Sequence, residues 1–473
     1  MEFNELSYKK KNIWEHITPE ERNLVFDFSK KYIDALNYGK TERLFIEYVL
    51  NIAKKNGFSN IFDKERLSAG DKIFLLNRNK SLILAIIGKN DIENGILGIV
   101  SHIDSPRIDL KMQALYEDNN LCLLKTHYYG GIKKYQWTTV PLELVGCVYK
   151  KDGSIVNFRI GNKEEDPVFV ITDLLIHLAK DQMDKKLSNA IEGEKMNILF
   201  GSIPYKEDSE KNNEKKIKEK IKYNLLKILY DKFNIVEEEL ISADISAVPA
   251  FEAKDTGLDS SFVIGYGQDD RISAWTSFEA INNIEHPENT IFIELLDREE
   301  IGSTGNTGAE ANLLEYFITL ILSLQGGKNI ELKKYQILYN STILSADVSA
   351  GLDPNYPEVM DKLNSPQLGY GITLMKYGGS RGKYYSVDAS PELMGKLINF
   401  FNDNSIIWQT GELGKVDQGG GGTVASFFAK LGADVIDCGV PLFSMHAPLE
   451  VSSKADIYMT YKAFLTFLKS YNK

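Results

Sequence analysis

Cysteine and histidine are scarce in this chain, with three of the first and six of the second among 473 residues. Cys122, Cys147 and Cys438 are scattered, odd in number and free of CxxC spacing, which argues against a disulfide framework and against a thiolate zinc site. A reducing, cytoplasmic setting is expected. Long apolar runs are missing too. The longest candidate, YFITLILSL at residues 316–324, is roughly half of the ~20 apolar residues that cross a bilayer. The start, MEFNELSYKKKNIWEHITPEER, has no apolar stretch of signal-peptide type and reads as mature structure. No membrane partner is therefore expected. Positive charge is in deficit as well, the formal net charge being −11, whereas a nucleic-acid surface needs concentrated positive charge.

What the chain does have is length and large side chains. Its 473 residues exceed what one hydrophobic core usually supports, so two domains are expected. A hydrophobic fraction of 43%, with 24 Tyr and 23 Phe, excludes disorder throughout. Thr18, Pro19 and Glu21 spell a helix start, and a second helix is expected from Thr41 towards Gly57, where Leu44, Phe45, Tyr48, Val49 and Ile52 recur at helical spacing. From Ser81 onward, β-branched runs such as LILAIIG and ILGIVSH read as buried strands. Further strands are expected at residues 291–296, 337–345 and 435–444, alternating with helices around 273–284, 309–324 and 391–408. That alternation predicts an α/β fold with a mixed, mainly parallel sheet sandwiched by helices.

Residues 107–255 have a different texture. Aromatic and glycine-rich strand candidates, THYYGGIKKYQW and VGCVYKKDGSIVNFRI, surround a hairpin turn at Asp152 and Gly153. The mixed-charge run YKEDSEKNNEKKIKEKIK reads as a solvated helix or mobile loop. The expected division is a main domain of residues 1–106 and 256–473, interrupted by an inserted β-rich domain of residues 107–255.

Acids and histidines stand where four apolar runs stop. ILGIVSHID ends at His102 and Asp104, IFIELLDREE at Glu299 and Glu300, TILSAD at Asp347, and VPLFSMH at His446. If those runs are parallel strands, their carboxyl ends share one edge, where open α/β sheets place ligands. His102 and Asp104 are two apart and point to one side of an extended backbone, so Asp104 can accept the second ring N–H of a metal-bound histidine; a surface turn is the structural alternative. Glu299 and Glu300 are adjacent, so their carboxylates diverge, one towards an ion and the other towards an attacking water, unless DREE is simply a charged loop. In GYGQDDRISAW, one aspartate such as Asp269 can bridge two cations about 3.5–4 Å apart, while Asp270 also suits a helix cap. Asp347 and His446 have structural readings as a turn residue and a satisfied core histidine. A donor set of imidazole and carboxylate suits Zn²⁺ first, then Mn²⁺ or Co²⁺.

The order His, Asp, Glu-Glu, Asp, His, and the words HIDSP, REEIGS, SADVSAGLDPNY and SMHAP around it, resemble the aspartyl aminopeptidase family of dinuclear zinc aminopeptidases, in its bacterial form. The resemblance implies two divalent ions per subunit bridged by Asp269, with His102, Glu300, Asp347 and His446 as terminal ligands and Glu299 as general base. It implies a zinc-peptidase-like catalytic domain, a dimerisation role for the inserted segment, and a homo-oligomer built from dimers, up to a dodecamer. It also implies that a histidine of the insert, His177 in ITDLLIHLAK, reaches a neighbouring subunit's site and helps to stabilise the tetrahedral intermediate. Two positions bear on the substrate. Family members that prefer acidic first residues carry histidine before Pro-Asn-Tyr, where this chain has Asp353, whose charge disfavours acidic substrates. Lys376 in LMKYGG matches a family lysine able to pair with an acidic side chain. The segment around Arg381 departs from the family wording, and no role is carried to it.

The expected function is therefore hydrolysis of the first peptide bond of peptides with a free amino terminus. A two-metal deacylase or carboxypeptidase on the same core, and a non-catalytic metal-binding assembly, are the competing readings.

Overall fold

The computed structural model describes residues 6–206 and 217–471. Residues 207–216, the middle of the mixed-charge run, lie outside the described residues. The chain divides into two compact units. One comprises the residues up to Ser105, those from Ala253 to Met445 and those from Leu449 on; the other comprises Pro106–Glu252 and His446–Pro448.

The first unit is built on a nine-stranded mixed sheet. Across it the strands run Ser59–Asn60, Lys72–Asn77, Ser81–Ile86, Ile291–Leu296, Leu97–His102, Thr342–Ala346, Asp434–Gly439, Ile372–Met375 and Trp408–Thr410. The strands ending at Leu296, His102, Ala346 and Gly439 are parallel neighbours. Each strand is buried on both faces, which is why it reads as a continuous apolar run. Alternate side chains serve two separate cores: Leu82, Leu84, Ile293 and Leu295 pack on one side with Trp275, Phe278 and Phe464, while Ile83, Phe292, Leu296 and Val100 pack on the other with Phe317, Ile318 and Phe428. Gly98 pairs with Phe292, and a β-carbon there would sit 2.1 Å from the Phe292 ring, so the glycine inside ILGIVSH makes room for a neighbour.

The covering helices begin on strong signals. Pro19–Tyr38 starts on a full capping box between Thr18 and Glu21 with proline in its first turn, and Glu42–Lys55 starts on the Thr41 hydroxyl. The other helices on this unit include Gln268–Asn282, Leu313–Leu324, Pro391–Asp403 and Lys454–Ser470.

Three expectations need correcting. The run from Ile337 is not strand throughout, because Ile337 closes the helix Ile330–Tyr339 and the strand begins at Thr342. The expected helix over 391–408 ends at Asp403, and Trp408 opens an edge strand. The run 435–444 is two strands: Asp434–Gly439 belongs to the main sheet, whereas Pro441–Phe443 pairs with Glu450–Ser453 in a separate five-stranded sheet. The run leading to His446 therefore does not end on the main sheet's edge.

The second unit carries a seven-stranded antiparallel sheet in the order Ile155–Ile160, Leu142–Tyr149, Asp244–Pro249, Arg107–Asp118, Leu121–Tyr129, Ile198–Gly201 and Val170–Ile171. Its first two strands in that order form a hairpin whose turn uses Gly153 at φ +85° and an Asp152 carboxylate that accepts the Ser154 amide at 2.9 Å. The helix Lys220–Phe233 ends on Asn234 in the left-handed region.

Candidate metal centre

Parallel pairing of Ile291–Leu296, Leu97–His102 and Thr342–Ala346 aligns their carboxyl ends, so the residues that follow each strand meet. His102 is 2% exposed. Its Nδ1 lies 3.0 Å from the Asp104 carbonyl oxygen and 3.3 Å from Asp104 Oδ1. A carbonyl only accepts, so Nδ1 carries a proton and Nε2 is turned inward. Around Nε2 stand Asp269 Oδ1 at 3.3 Å, Asp347 Oδ1 at 3.8 Å and Glu299 Oε2 at 3.9 Å. Two sets of ligand atoms, each within 4.8 Å of one another, result: His102 with Asp269 and Glu300, and His102 with Asp270 and Asp347.

Asp104 does more than face the ring. Its two carboxylate oxygens accept the Glu299 amide at 3.1 Å and the Glu300 amide at 3.2 Å, fixing the single 3-10 turn Glu299–Ile301 to the loop after His102. Consecutive residues in such a turn are about 120° apart, so the two glutamates diverge. Arg298 before the turn and Gly302 after it both adopt positive φ, which makes the reversal tight.

Asp269 and Asp270 enter from the start of the helix Gln268–Asn282. Gly267, at φ +70°, precedes them; both aspartates keep non-helical backbone angles and are joined by a cis peptide bond, so regular helix begins only after Asp270. Four hydrogen bonds hold this corner. Glu450 Oε2 accepts the Gln268 and Asp269 amides at 2.7 and 3.2 Å, Ser105 Oγ donates to the Asp269 carbonyl at 2.7 Å, and buried Arg271 donates to the Ile103 carbonyl at 3.2 Å.

The electrostatics are those of a cation site. Burial, then the Asp347 charge, raises the Asp270 carboxyl well above its usual range, and burial raises Asp347. Burial pushes Glu299 up to about 8, with Asp347, Asp104 and Asp269 adding to the rise and His102 opposing it. Burial alone would lower the His102 pKa, yet Asp104, Asp269, Asp347 and Glu299 raise it well above the ordinary value, a measure of how strongly this corner attracts positive charge. Both Asp270 oxygens are buried. Divalent ions fit such a donor set, and imidazole with carboxylate suits zinc.

The structure thus brings His102, Asp269, Glu300 and Asp347 together, with Glu299 and Asp104 beside them. Asp270 and Glu450 join the site without having been singled out as ligand or support. Asp270's adjacency to Asp269 was a signal, but one that also fits a cap; Glu450 becomes visible only once its strand pairs with Phe262–Gly265. The remaining candidates are not members of either ligand set. His446 belongs to the second unit, outside both ligand sets, with Nδ1 2.9 Å from the Gly131 carbonyl and a φ of +66°. His177 is exposed on the turn Ile176–Leu178 of the same unit. Lys376 is exposed directly after the strand Ile372–Met375, and Asp353 Oδ1 accepts the Asn355 amide at 2.8 Å within its own turn.

Residues 35–468 match the family described as aminopeptidase I zinc metalloprotease (M18). The chain belongs to that family. A probable M18 family aminopeptidase 1 of Clostridium acetobutylicum is 48% identical over 471 residues, covering 99% of this chain and 100% of the relative. The crystal structure of an M18 aminopeptidase from Thermotoga maritima, 42% identical, superimposes with a TM-score of 0.92 over 98% of this chain and 100% of that one. At 23% identity, the S. cerevisiae mApe1 dodecamer shares the fold, with a TM-score of 0.75 over 93% of this chain and 96% of that one. This aminopeptidase is accordingly a metal-dependent hydrolase, as expected. No described helix is long and apolar enough to cross a membrane.

Proposed function

We propose that the aminopeptidase works with two divalent ions, zinc first, which Asp269, His102, Glu300 and Asp347 would hold, and that Glu299 is its general base. His446 enters the ligand set from the family resemblance alone. The observation that carries the reading is the turn at Glu299 and Glu300, whose amides are both clamped by Asp104 while Glu299 Oε2 stays 3.9 Å from His102 Nε2. Bound ions would supply Lewis-acid polarisation of the scissile carbonyl and a more acidic water. Glu299 takes the proton of the attacking water and returns it to the amine that leaves when the C–N bond breaks.

Glu299→Gln tests the assignment. It should lower kcat by roughly 10²–10⁴-fold, the usual worth of a general base, with ion content by mass spectrometry unchanged. Near-normal turnover would sink it.

On the substrate side, Asp353 supports neutral or basic first residues over acidic ones, and Lys376 supports the opposite; rates on aminoacyl substrates of each class decide between them. We also read the protein as a cytoplasmic homo-oligomer built from dimers, with His177 serving a neighbouring subunit. Exposed Leu174, Leu175, Ile176 and Leu178 around that histidine support a covered surface.

A further inference from the structure

The strand Ile291–Leu296 contains one residue at odds with its place. Phe292 and Leu296 pack into the apolar layer formed with Phe317, Ile318 and Phe428, and the two-residue period puts Glu294 on that same face. Glu294 is 2% exposed, and its Oε2 is buried with no hydrogen-bond partner among the described residues. Burial pushes its carboxyl up to about 8. Glu294 belongs to neither ligand set of the candidate metal centre. A buried acid without a partner is costly, and in native proteins such a group is commonly tied to a ligand, water or ion.

Glu294 lines a cavity of about 230 Å³, together with Leu314, Phe427, Phe428 and Leu431. Exposed Glu310, Asn312 and Lys430 also line it and form its mouth, where solvent screens their charges. The Lys430 ammonium rests 5.2 Å from the Phe427 ring centre. An apolar cavity of about 150 Å³ holds a benzene molecule, so this one has room for a ring and a short polar arm.

We propose that this cavity binds a small organic monocation, a primary amine on an apolar body, whose ammonium pairs with the Glu294 carboxylate while its hydrocarbon lies among Leu314, Phe427, Phe428 and Leu431. The buried ionisable group in the lining is an acid, whose carboxylate form pairs with a cation and repels an anion. The proton balance is simple. At pH 7 the carboxyl is largely protonated, so binding R–NH₃⁺ sends one Glu294 proton to solvent and leaves a carboxylate–ammonium pair.

Calorimetric titration of the whole protein with benzylamine, and with benzyl alcohol as the uncharged control, tests this in buffers of different ionisation enthalpy. The expected result is one saturable site per chain, release of about one proton at pH 7, and affinity rising about tenfold from pH 6 to pH 7. Benzyl alcohol should bind at least about tenfold more weakly. Glu294→Gln removes the charge and Leu431→Phe fills the space; each should cost about tenfold or more in benzylamine affinity, and the second keeps the test alive if the first folds poorly. Absence of saturable binding, equal binding of the alcohol, or benzylamine binding that survives both substitutions and competes with peptide substrate would overturn the proposal.

Discussion

Asp104 links the two halves of the proposed chemistry, because one carboxylate faces the His102 ring and also holds the amides of Glu299 and Glu300. Asp104→Asn replaces an acceptor with an amide group that presents N–H to other N–H donors. It should weaken ion binding by about 10–100-fold, the usual cost of losing a ligand's supporting partner, and lower turnover with it. Chelator competition reads the first effect, and an unchanged ion affinity would contradict it. His102, Asp269, Glu300 and Asp347 were legible in the sequence because each directly follows an apolar run or a glycine turn. Asp270 was not, because an acid directly before a helical pattern also reads as a cap. Glu450 was out of reach, since its support of Asp269 crosses 181 residues of chain.

At the scale of elements, apolar runs bounded by turns identified the central strands Ser81–Ile86, Leu97–His102 and Ile291–Leu296, while ambiguity gathered where helix and strand abut. QILYNSTILSA has apolar residues on both sides of Asn340, Ser341 and Thr342, yet its first part ends the helix Ile330–Tyr339 and its second forms Thr342–Ala346, a change of structure that hydrophobicity alone does not specify. The strand before His446 misled for a related reason: after Gly439 the chain leaves one sheet for another without any loss of apolar character. Glu294 gives this scale its prediction. Its folded-state pKa of about 8 lies above the ordinary 4.5, so the stability linked to its proton is fully present below pH 4.5 and is lost as pH rises through 8. Glu294→Leu has no such loss. Its advantage over the natural protein in chemical denaturation should therefore grow at about 1.4 kcal/mol per pH unit within that window. An advantage independent of pH would contradict the assignment.

For the whole molecule, length and the change of texture suggested two domains, and composition suggested neither membrane nor nucleic acid as partner. Assembly is less legible, because an exposed apolar run such as that around His177 does not reveal what covers it. If His177 serves a neighbouring subunit's reaction, His177→Ala should reduce kcat by roughly 10²–10³-fold, the range for an intermediate-stabilising donor. Ion content and the mass measured by sedimentation should stay as they were; full activity would remove the residue from the mechanism. The most direct test of the account is ion stoichiometry per subunit, measured with turnover on the natural protein and on Asp269→Asn. Two ions and full activity in the first, with loss of both in the second, are the predicted result. Two retained ions and near-normal turnover in Asp269→Asn would contradict it.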